Sequence, residues 1–382
     1  MILIEKNKIQ KESIVLKKDQ YLAHVVPEKG IVQNVGSHLL GVKELAEKNC
    51  PLEILKNIVV SDALLHDAGK LGNEFYEYMN DVRKNGENVR KQKIDHTSAG
   101  GRILEGIVDR GALFEFISTA IYSHHGLQDN IDLETGETLF EKRREKKIEF
   151  ELVQQRYFEI IGRHVLIKYL SAAHADLQEI FRKIEAFVQE TGKRNCGSRD
   201  FYLGMFERLS LSVLIDSDWT DTACFCQEEP HPERLSEEKT QEIWKKWISH
   251  FESYMHHMTD STPKSPLNIF RDEISELCFQ AAKGKGGLYR LTVPTGAGKT
   301  FSSLRFALCH AQKYHKKHII YVAPYNSILE QNAEDIRRAI GNEELVLEHH
   351  SNIFYEDENQ ELIYKKLTES WDCPLILTSA VQ

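Results

Sequence analysis

An apolar helical run that ends Leu64-Leu65-His66-Asp67-Ala68-Gly69-Lys70 constrains this chain more than any other feature. An imidazole and a carboxylate arrive side by side where the helix runs out, and the glycine turns the backbone away, a placement suited to a divalent metal. An acid at the end of an apolar helix must be paired, solvated or bound to metal. With 17 histidines and 58 acidic residues in the chain, one adjacent His-Asp pair decides nothing by itself.

The segments around it repeat the device. A helix over Gln33 to Lys48 carries Val35, Leu39, Val42 and Ala46 on one stripe, with His38 on or beside it. A lone histidine there is as a rule a satisfied core residue. The next helix, Pro51 to His66, buries Leu55, Ile58, Val59 and Leu65 and delivers His66 and Asp67; Asp62, one turn earlier, either orients His66 or is solvated. Between Tyr76 and Lys93 the chain turns polar and basic, with Arg83, Lys84, Arg90, Lys91 and Lys93 after the aromatic Phe75, Tyr76 and Tyr78: a strand-binding loop or a solvated one. Asp95-His96-Thr97-Ser98 opens a helix that runs through Asp109. A helix from Ala112 ends Ser123-His124-His125-Gly126, the same polar pair closed by glycine. The charge run from Lys142 to Lys147 reads as a solvated face. A long helical region over Leu152 to Val188 follows, its His164 and His174 matching no pattern, and a helix from Tyr202 to Ile215 ends in Asp216-Ser217-Asp218-Trp219.

Composition narrows the classes. At 382 residues, 41% hydrophobic and 28% charged, the chain can hold two domains of roughly 150 residues each. No stretch of about 20 apolar residues and no signal sequence are visible, so no membrane is involved and a cytoplasmic location is expected. The seven cysteines, Cys224 and Cys226 included, form no paired framework and are expected as free thiols. A net charge of −9 excludes a general positive field, so any nucleic-acid contact must be local.

Collected, His38, His66, Asp67, His96, His124, His125 and Asp218 stand mostly at helix ends and can meet in the core of an all-α bundle. Imidazoles and carboxylates in that mixture suit two first-row ions, Mn, Fe, Ni, Co or Zn, better than Ca or Mg. Two such ions close together serve phosphate-ester hydrolysis, because they activate water and stabilise the oxygens of an in-line attack on phosphorus.

These runs together resemble the HD phosphohydrolase superfamily and, more narrowly, the nuclease domain of the CRISPR-associated nuclease-helicases of type I systems. The resemblance implies that His38, His66, Asp67 and Asp218 hold one ion and Asp67, His96, His124 and His125 the other, with Asp67 bridging. It implies that Lys70 sits beside the scissile phosphate, with His66 and Asp67 as its catalytic companions. Asp216 competes with Asp218 for the last ligand position; Asp218 is preferred because the family's acid usually precedes an aromatic.

From residue 227 to 264 the chain turns acidic and proline-bearing and passes through a Trp244 and Trp247 helix, a connector between an HD domain over 1–226 and a second domain over 265–382. There Leu288 to Val293 reads as a buried strand leading into Thr295-Gly296-Ala297-Gly298-Lys299-Thr300 and an apolar helix. The loop can cradle the phosphates of ATP, with Lys299 on the β/γ oxygens and Thr300 on Mg²⁺. Position 293 is Val, so only the shorter G-x-G-K-T form is met, as in superfamily-two helicases. Further units run His318 to Ala323 into a Ser327 to Ile340 helix, then a Glu356 to Ser370 helix into Leu375 to Thr378, the alternation of a parallel RecA-like sheet. Segments around Asn326 and Gln331, and from Thr378 to Gln382, resemble helicase motifs that grip single-stranded DNA. No hydrophobic strand after Lys299 ends in an Asp-Glu pair, so the acidic Walker B motif is expected beyond Gln382, and ATP turnover is expected to be absent.

The expected molecule is multidomain: an all-α HD bundle followed by a partial α/β RecA-like (P-loop) lobe. Its expected role is a metal-dependent single-stranded DNA nuclease, coupled in the complete protein to an ATP-dependent 3′–5′ helicase and recruited by an RNA-guided CRISPR surveillance complex. The alternatives are an HD-type nucleotide phosphohydrolase and a non-catalytic ATP- and DNA-binding module.

Overall fold

The computed structural model describes residues 20–86, 89–90, 94–126, 131–190, 196–231, 234–262, 264–350 and 371–380. The chain divides into two compact units, Met1–His231 and Pro232–Gln382.

The first unit is built around a helix that is buried on every side. Along α2 (Lys56–Leu65) every residue from Ile58 to Leu65 is buried, the pattern of a helix enclosed by others. It packs on α1 (Val35–Asn49), α5 (Ala112–Ser123), α8 (Arg163–Glu190) and α9 (Cys196–Gln227). An antiparallel hairpin, β1 (Leu22–Val26) and β2 (Ile31–Asn34), precedes α1, and the Asn34 side chain caps that helix by accepting from the Ser37 N–H at 2.7 Å. Four shorter helices, α3 (Asn73–Asn85), α4 (Ser98–Glu105), α6 (Leu139–Arg144) and α7 (Phe150–Ile160), complete the bundle.

Several boundaries differ from the sequence reading. Lys56 begins α2, and residues 53–55 before it form a 3₁₀ turn. The expected loop after Tyr76 is α3 through Asn85, ended by Gly86, and residues 87–88 and 91–93 lie outside the described part. The region from 152 to 188 is two helices, because Gly162 at φ +87° adopts a left-handed backbone that a helix cannot continue. Most consequentially, α9 does not stop at Ile215. Leu214, Ser217, Asp218, Asp221 and Cys224 are all buried, so the helical period continues with small and acidic side chains where apolar ones would mark it.

In the second unit α10 (Glu237–Ser261) buries Trp244, Trp247 and Phe251, and the Trp244 indole donates to the Lys316 carbonyl at 2.8 Å. The helix foreseen within the connector thus belongs to this unit's core. After α11 (Pro266–Ala282) and α12 (Lys299–Lys313) come β3 (Ile319–Ala323), α13 (Asn326–Ile340), β4 (Val346–His349) and β5 (Leu375–Ser379). The sheet is parallel in the order β3-β5-β4, with Leu375 in register with both Ile319 and Val346. The helix expected over Glu356 to Ser370 lies outside the described residues.

Leu288 to Val293 forms no strand, contrary to the sequence reading. A strand exists only through ladder partners, and this run has none among the described residues; Leu288, Tyr289 and Leu291 are exposed. The cysteines at 50, 224, 226, 278, 309 and 373 are free thiols, and no described helix is long and apolar enough to cross a membrane.

Close backbone approach fixes α4 against the end of α2. A Cβ on Gly100 would overlap the Leu65 carbonyl oxygen, which cannot move without breaking α2. Gly100→Ala is therefore expected to lower the stability of the helical unit by about 1–3 kcal/mol, read as a lower urea midpoint by far-UV circular dichroism. An unchanged midpoint would show that the two helices do not meet this closely.

Candidate metal centre

The end of α2 is where the histidines and acids collect. His66 closes the helix, a 3₁₀ turn over Ala68–Leu71 follows, and Asp67 between them is 1% exposed. Gly69 lets the loop carrying His96 lie against this turn, its N–H donating to the His96 carbonyl at 3.1 Å. His38 comes from α1, His124 and His125 from the end of α5, and Asp218 from the middle of α9.

Two groups of potential ligand atoms result, each with all its atoms within 4.8 Å of one another: His38, His66, Asp67 and Asp218, and Asp67, His96, His124 and His125. Asp67 belongs to both through different oxygens. Its Oδ2 faces His38 Nε2 at 3.3 Å and His66 Nε2 at 3.5 Å. Its Oδ1 faces His124 Nε2 at 3.4 Å and His96 Nε2 at 3.8 Å. Asp218 Oδ1 completes the first group, 3.2 Å from His38 Nε2 and 3.7 Å from His66 Nε2. Asp218, not Asp216, is the acid that α9 turns toward these imidazoles.

The imidazoles are oriented alike. Nδ1 of His66 lies 2.8 Å from the Ala63 carbonyl, Nδ1 of His124 lies 2.7 Å from the Ile121 carbonyl, and Nδ1 of His96 lies 3.0 Å from the Ile94 carbonyl. A carbonyl can only accept, so each Nδ1 carries the proton and each Nε2 presents a lone pair to the cluster. His96 and His125 bring their Nε2 atoms to 2.5 Å of each other. Nε2 of His38, His66 and His124 and Oδ1 of Asp67 are buried with no hydrogen-bond partner. Buried polar atoms are seldom left so, and lone pairs aimed at common points from imidazole and carboxylate fit divalent first-row metals.

The charges follow from the crowding. Burial would raise the Asp67 carboxyl, but the Lys70 ammonium and the His66, His124 and His38 rings outweigh it and hold it well below the usual carboxylate range. Burial likewise opposes ionisation of Asp218, and His38 and His66 reverse it. Burial and Lys70 act to lower His38, yet Asp218, Asp221 and Asp67 together raise it to about 10. Burial lowers His96, and with the neighbouring His124 and His96 it lowers His125 to about 4.

Lys70, expected beside a scissile phosphate, is itself buried, with Nζ 2.6 Å from Asp67 Oδ2 and 3.1 Å from His24 Nε2. Neither reading of Asp62 holds. It is fully buried, its carboxylate accepts from Ser210 Oγ at 2.5 Å, His66 Nδ1 is satisfied by the Ala63 carbonyl instead, and burial pushes the Asp62 carboxyl well above the usual range.

Sequence reasoning passed over two residues. Asp221, one turn after Asp218 on α9, places Oδ2 2.8 Å from His38 Nδ1 and 2.7 Å from the donating Gln33 Nε2, while His231 Nε2 lies 3.2 Å from its Oδ1. It does for His38 what backbone carbonyls do for the other rings. His24, from β1, packs edge-on against His38 and meets Lys70. The i, i+3 spacing of Asp218 and Asp221 on one buried face was the available signal; His24 left none.

In the second unit Gly296 and Gly298 both stand at φ +80° and shape the loop before α12, where Lys299 is exposed. Arg271, on α11, donates from Nε and Nη2 to the Gly296 carbonyl at 2.9 and 2.7 Å. The Thr300 hydroxyl donates to Asn332 Oδ1 at 3.2 Å. Asn326 begins α13 and Gln331 on it is exposed. Thr378 is buried with its hydroxyl on the His349 carbonyl at 2.9 Å, so it does not face a ligand here. Gln382 lies outside the described residues.

A helical bundle that gathers histidine and aspartate side chains at the tip of its central helix defines a hydrolase domain of the HD class with a candidate metal site. Residues 23–219, more than half of the chain, match the family model described as Cas3, HD domain, and the chain belongs to that family. Residues 238–380 match the model described as type III restriction enzyme, res subunit. Crystal structures of T. fusca Cas3 alone, with ATP and with AMPPNP are similar at 16%, 17% and 16% identity, with TM-scores of 0.41, 0.43 and 0.42. Each alignment covers 94% of this chain and 43% of that one, so the chain spans less than half the length of those proteins. No curated protein matches it.

Asp221→Asn is expected to weaken divalent-metal binding about tenfold, because a partner that fixes a ligating imidazole supports its basicity as well as its aim. Titration calorimetry with Mn²⁺ and Ni²⁺ on protein of wild-type helicity measures this. Equal affinity would show that His38 is positioned without Asp221.

Proposed function

We propose that the first unit is a two-metal nuclease that hydrolyses single-stranded DNA. The observation that carries this reading is the split engagement of Asp67, whose two oxygens face separate sets of imidazole nitrogens. His38, His66, Asp67 and Asp218 would hold one ion and Asp67, His96, His124 and His125 the other. When bound, such a pair supplies Lewis acidity to a phosphodiester and to the water that attacks it. The residues of this chain hold and exclude: the first group is buried throughout, whereas His96 is partly exposed and His125 exposed, so a strand reaches the centre from the side of these two rings. Lys70 holds positive charge against Asp67 and meets His24.

For the second unit the proposal is an ATP-binding portion of a superfamily-two helicase lobe. Thr295 to Thr300 would cradle the phosphates with Mg²⁺, and Asn326, Gln331, Thr378 and Gln382 belong to segments that would follow the DNA backbone. Coupling to 3′–5′ translocation and recruitment by an RNA-guided surveillance complex are inferred from the family, and a cytoplasmic location goes with them. The domain limits read from sequence, 1–226 for the nuclease, 227–264 for a connector and 265–382 for the lobe, are proposed here with α10 of the connector assigned to the lobe, because Trp244, Trp247 and Phe251 pack in the second unit's core.

Circular single-stranded DNA tests the first part. Wild type with Mn²⁺, Ni²⁺, Co²⁺ or Fe²⁺ should linearise and degrade it, and Asp67→Ala should lose activity by at least about a hundredfold, because both ligand groups lose their shared carboxylate. Equal cutting by the two would refute the assignment, and activity confined to mononucleotides would favour a nucleotide phosphohydrolase.

The pH dependence has a definite sign. His38, raised to about 10, carries a proton in the metal-free protein at neutral pH, and metal must take the same Nε2 lone pair. Metal uptake near pH 7 should release about one proton from this ring and should weaken as pH falls. Calorimetry in buffers of different ionisation enthalpy measures the release; none at all would place His38 outside the ligand set.

A further inference from the structure

On the open side of the candidate centre lies a cleft of about 750 Å³, walled on one side by His96 and His125 and on the other by Lys142, Arg143 and Lys146. The charge run that reads from sequence as a solvated face therefore borders the exposed edge of the second ligand group. A capping box between Thr138 and Glu141 holds α6 in place, and Leu139 is buried beneath it.

The cations differ in how they are held. Arg143 is 14% exposed and donates to Asp95 Oδ2 at 3.0 Å, to Thr97 Oγ1 at 2.8 Å and to the Tyr122 carbonyl at 3.4 Å. It ties α6 to the loop that carries His96 and is a positioning residue. Lys142 and Lys146 are 40% and 45% exposed. Lys146 shares Asp95 with Arg143, and Lys142 pairs with Asp132, which does not line the cleft. Among the described residues Asp95 is the only carboxylate in the lining against these cations, and it also accepts from the Ser98 N–H at 2.9 Å. Surface pairs of this kind are worth about 0–1 kcal/mol, so each ammonium can exchange its partner for a phosphate oxygen at little cost.

We propose that this cleft receives the phosphodiester backbone flanking the scissile phosphate, with Lys142 and Lys146 as its phosphate contacts. The inference rests on the nuclease reading above and specifies where the strand lies. Recognition through ammonium and phosphate alone carries no sequence preference, and the cleft size suits a short stretch of one strand.

The test uses the full chain carrying Lys142→Ala and Lys146→Ala together, with Arg182→Ala and Lys183→Ala on α8 as a control for general charge. Binding of a fluorescein-labelled oligothymidylate is followed by anisotropy in EDTA across about 50–200 mM KCl. Removing two phosphate contacts should reduce the slope of log K against log salt by about 1.4 and weaken binding about tenfold, while the control keeps the wild-type slope. With Mn²⁺, KM for single-stranded DNA should rise by a similar factor, and KM for bis(p-nitrophenyl) phosphate, too small to span from His96 and His125 to both lysines, should rise less. A wild-type slope in the cleft variant, or an equal loss in the control, would overturn the proposal. If wild type hydrolyses neither diester, the nuclease reading fails, and the anisotropy slopes still decide whether the cleft binds the strand.

Discussion

A carboxylate buried at the C-terminal end of an enclosed helix is the constraint on which this structure depends. Asp67 stands where α2 directs its unsatisfied carbonyls, and α5 ends nearby at His124. Both helix ends carry partial negative charge, so Asp67 and Asp218 are the wrong sign for their place unless positive charge is supplied. Lys70 and a protonated His38 supply part of it. Removing one partner from such a cluster leaves an uncompensated buried charge, whose cost of several kcal/mol is comparable with the stability of a whole domain. The same field that makes the cluster costly without partners makes it attractive to divalent cations.

Precision comes from the backbone. His66 and His124 each close a helix and each turn Nδ1 back to the carbonyl three residues earlier. A histidine at a helix end finds that carbonyl unused, since the last turn has no N–H left to satisfy it. The sequence device of an imidazole followed within a few residues by glycine thus fixes tautomer and aim together. His38 sits in the first turns of α1, where the helix directs no free carbonyl back to it, and Asp221 takes over that part from another helix.

What could be read from sequence divides along these lines. Helix-tip histidines announce themselves because an apolar run stops at a polar pair, so His66, Asp67, His124 and His125 were legible, and His96 followed from its capping context. Asp218 was legible as an acid at a helix end, though its preference over Asp216 came only through resemblance, and α9 was cut short at Ile215 because small and acidic side chains continue its buried face through Cys224. Asp62 was misread because a buried acid paired with Ser210 looks in sequence like any other acid. The strand at Leu288 to Val293 has the right residues and lacks ladder partners among those described, which no local pattern reveals. β4 was passed over because four residues ending in Glu348 and His349 carry almost no apolar alternation.

The two ligand groups differ in access more than in composition. His38, His66, Asp67 and Asp218 are buried together, and an ion among them would have protein on every side. The group that adds His96, His124 and His125 has one exposed ring and one partly exposed ring. On the proposed reading, a polymer would therefore meet the second, outer group first, because its His96 and His125 are the more exposed rings. Asp67 is the only side chain common to both, and through it the inner group would act on chemistry it cannot touch. With ions bound, His38, His66 and Asp218 would hold one oxygen of Asp67 in place while its other oxygen stays turned to His96 and His124, beside the exposed His125. Were both groups occupied, that difference in burial would make an ion leave the first group slowly and the second quickly.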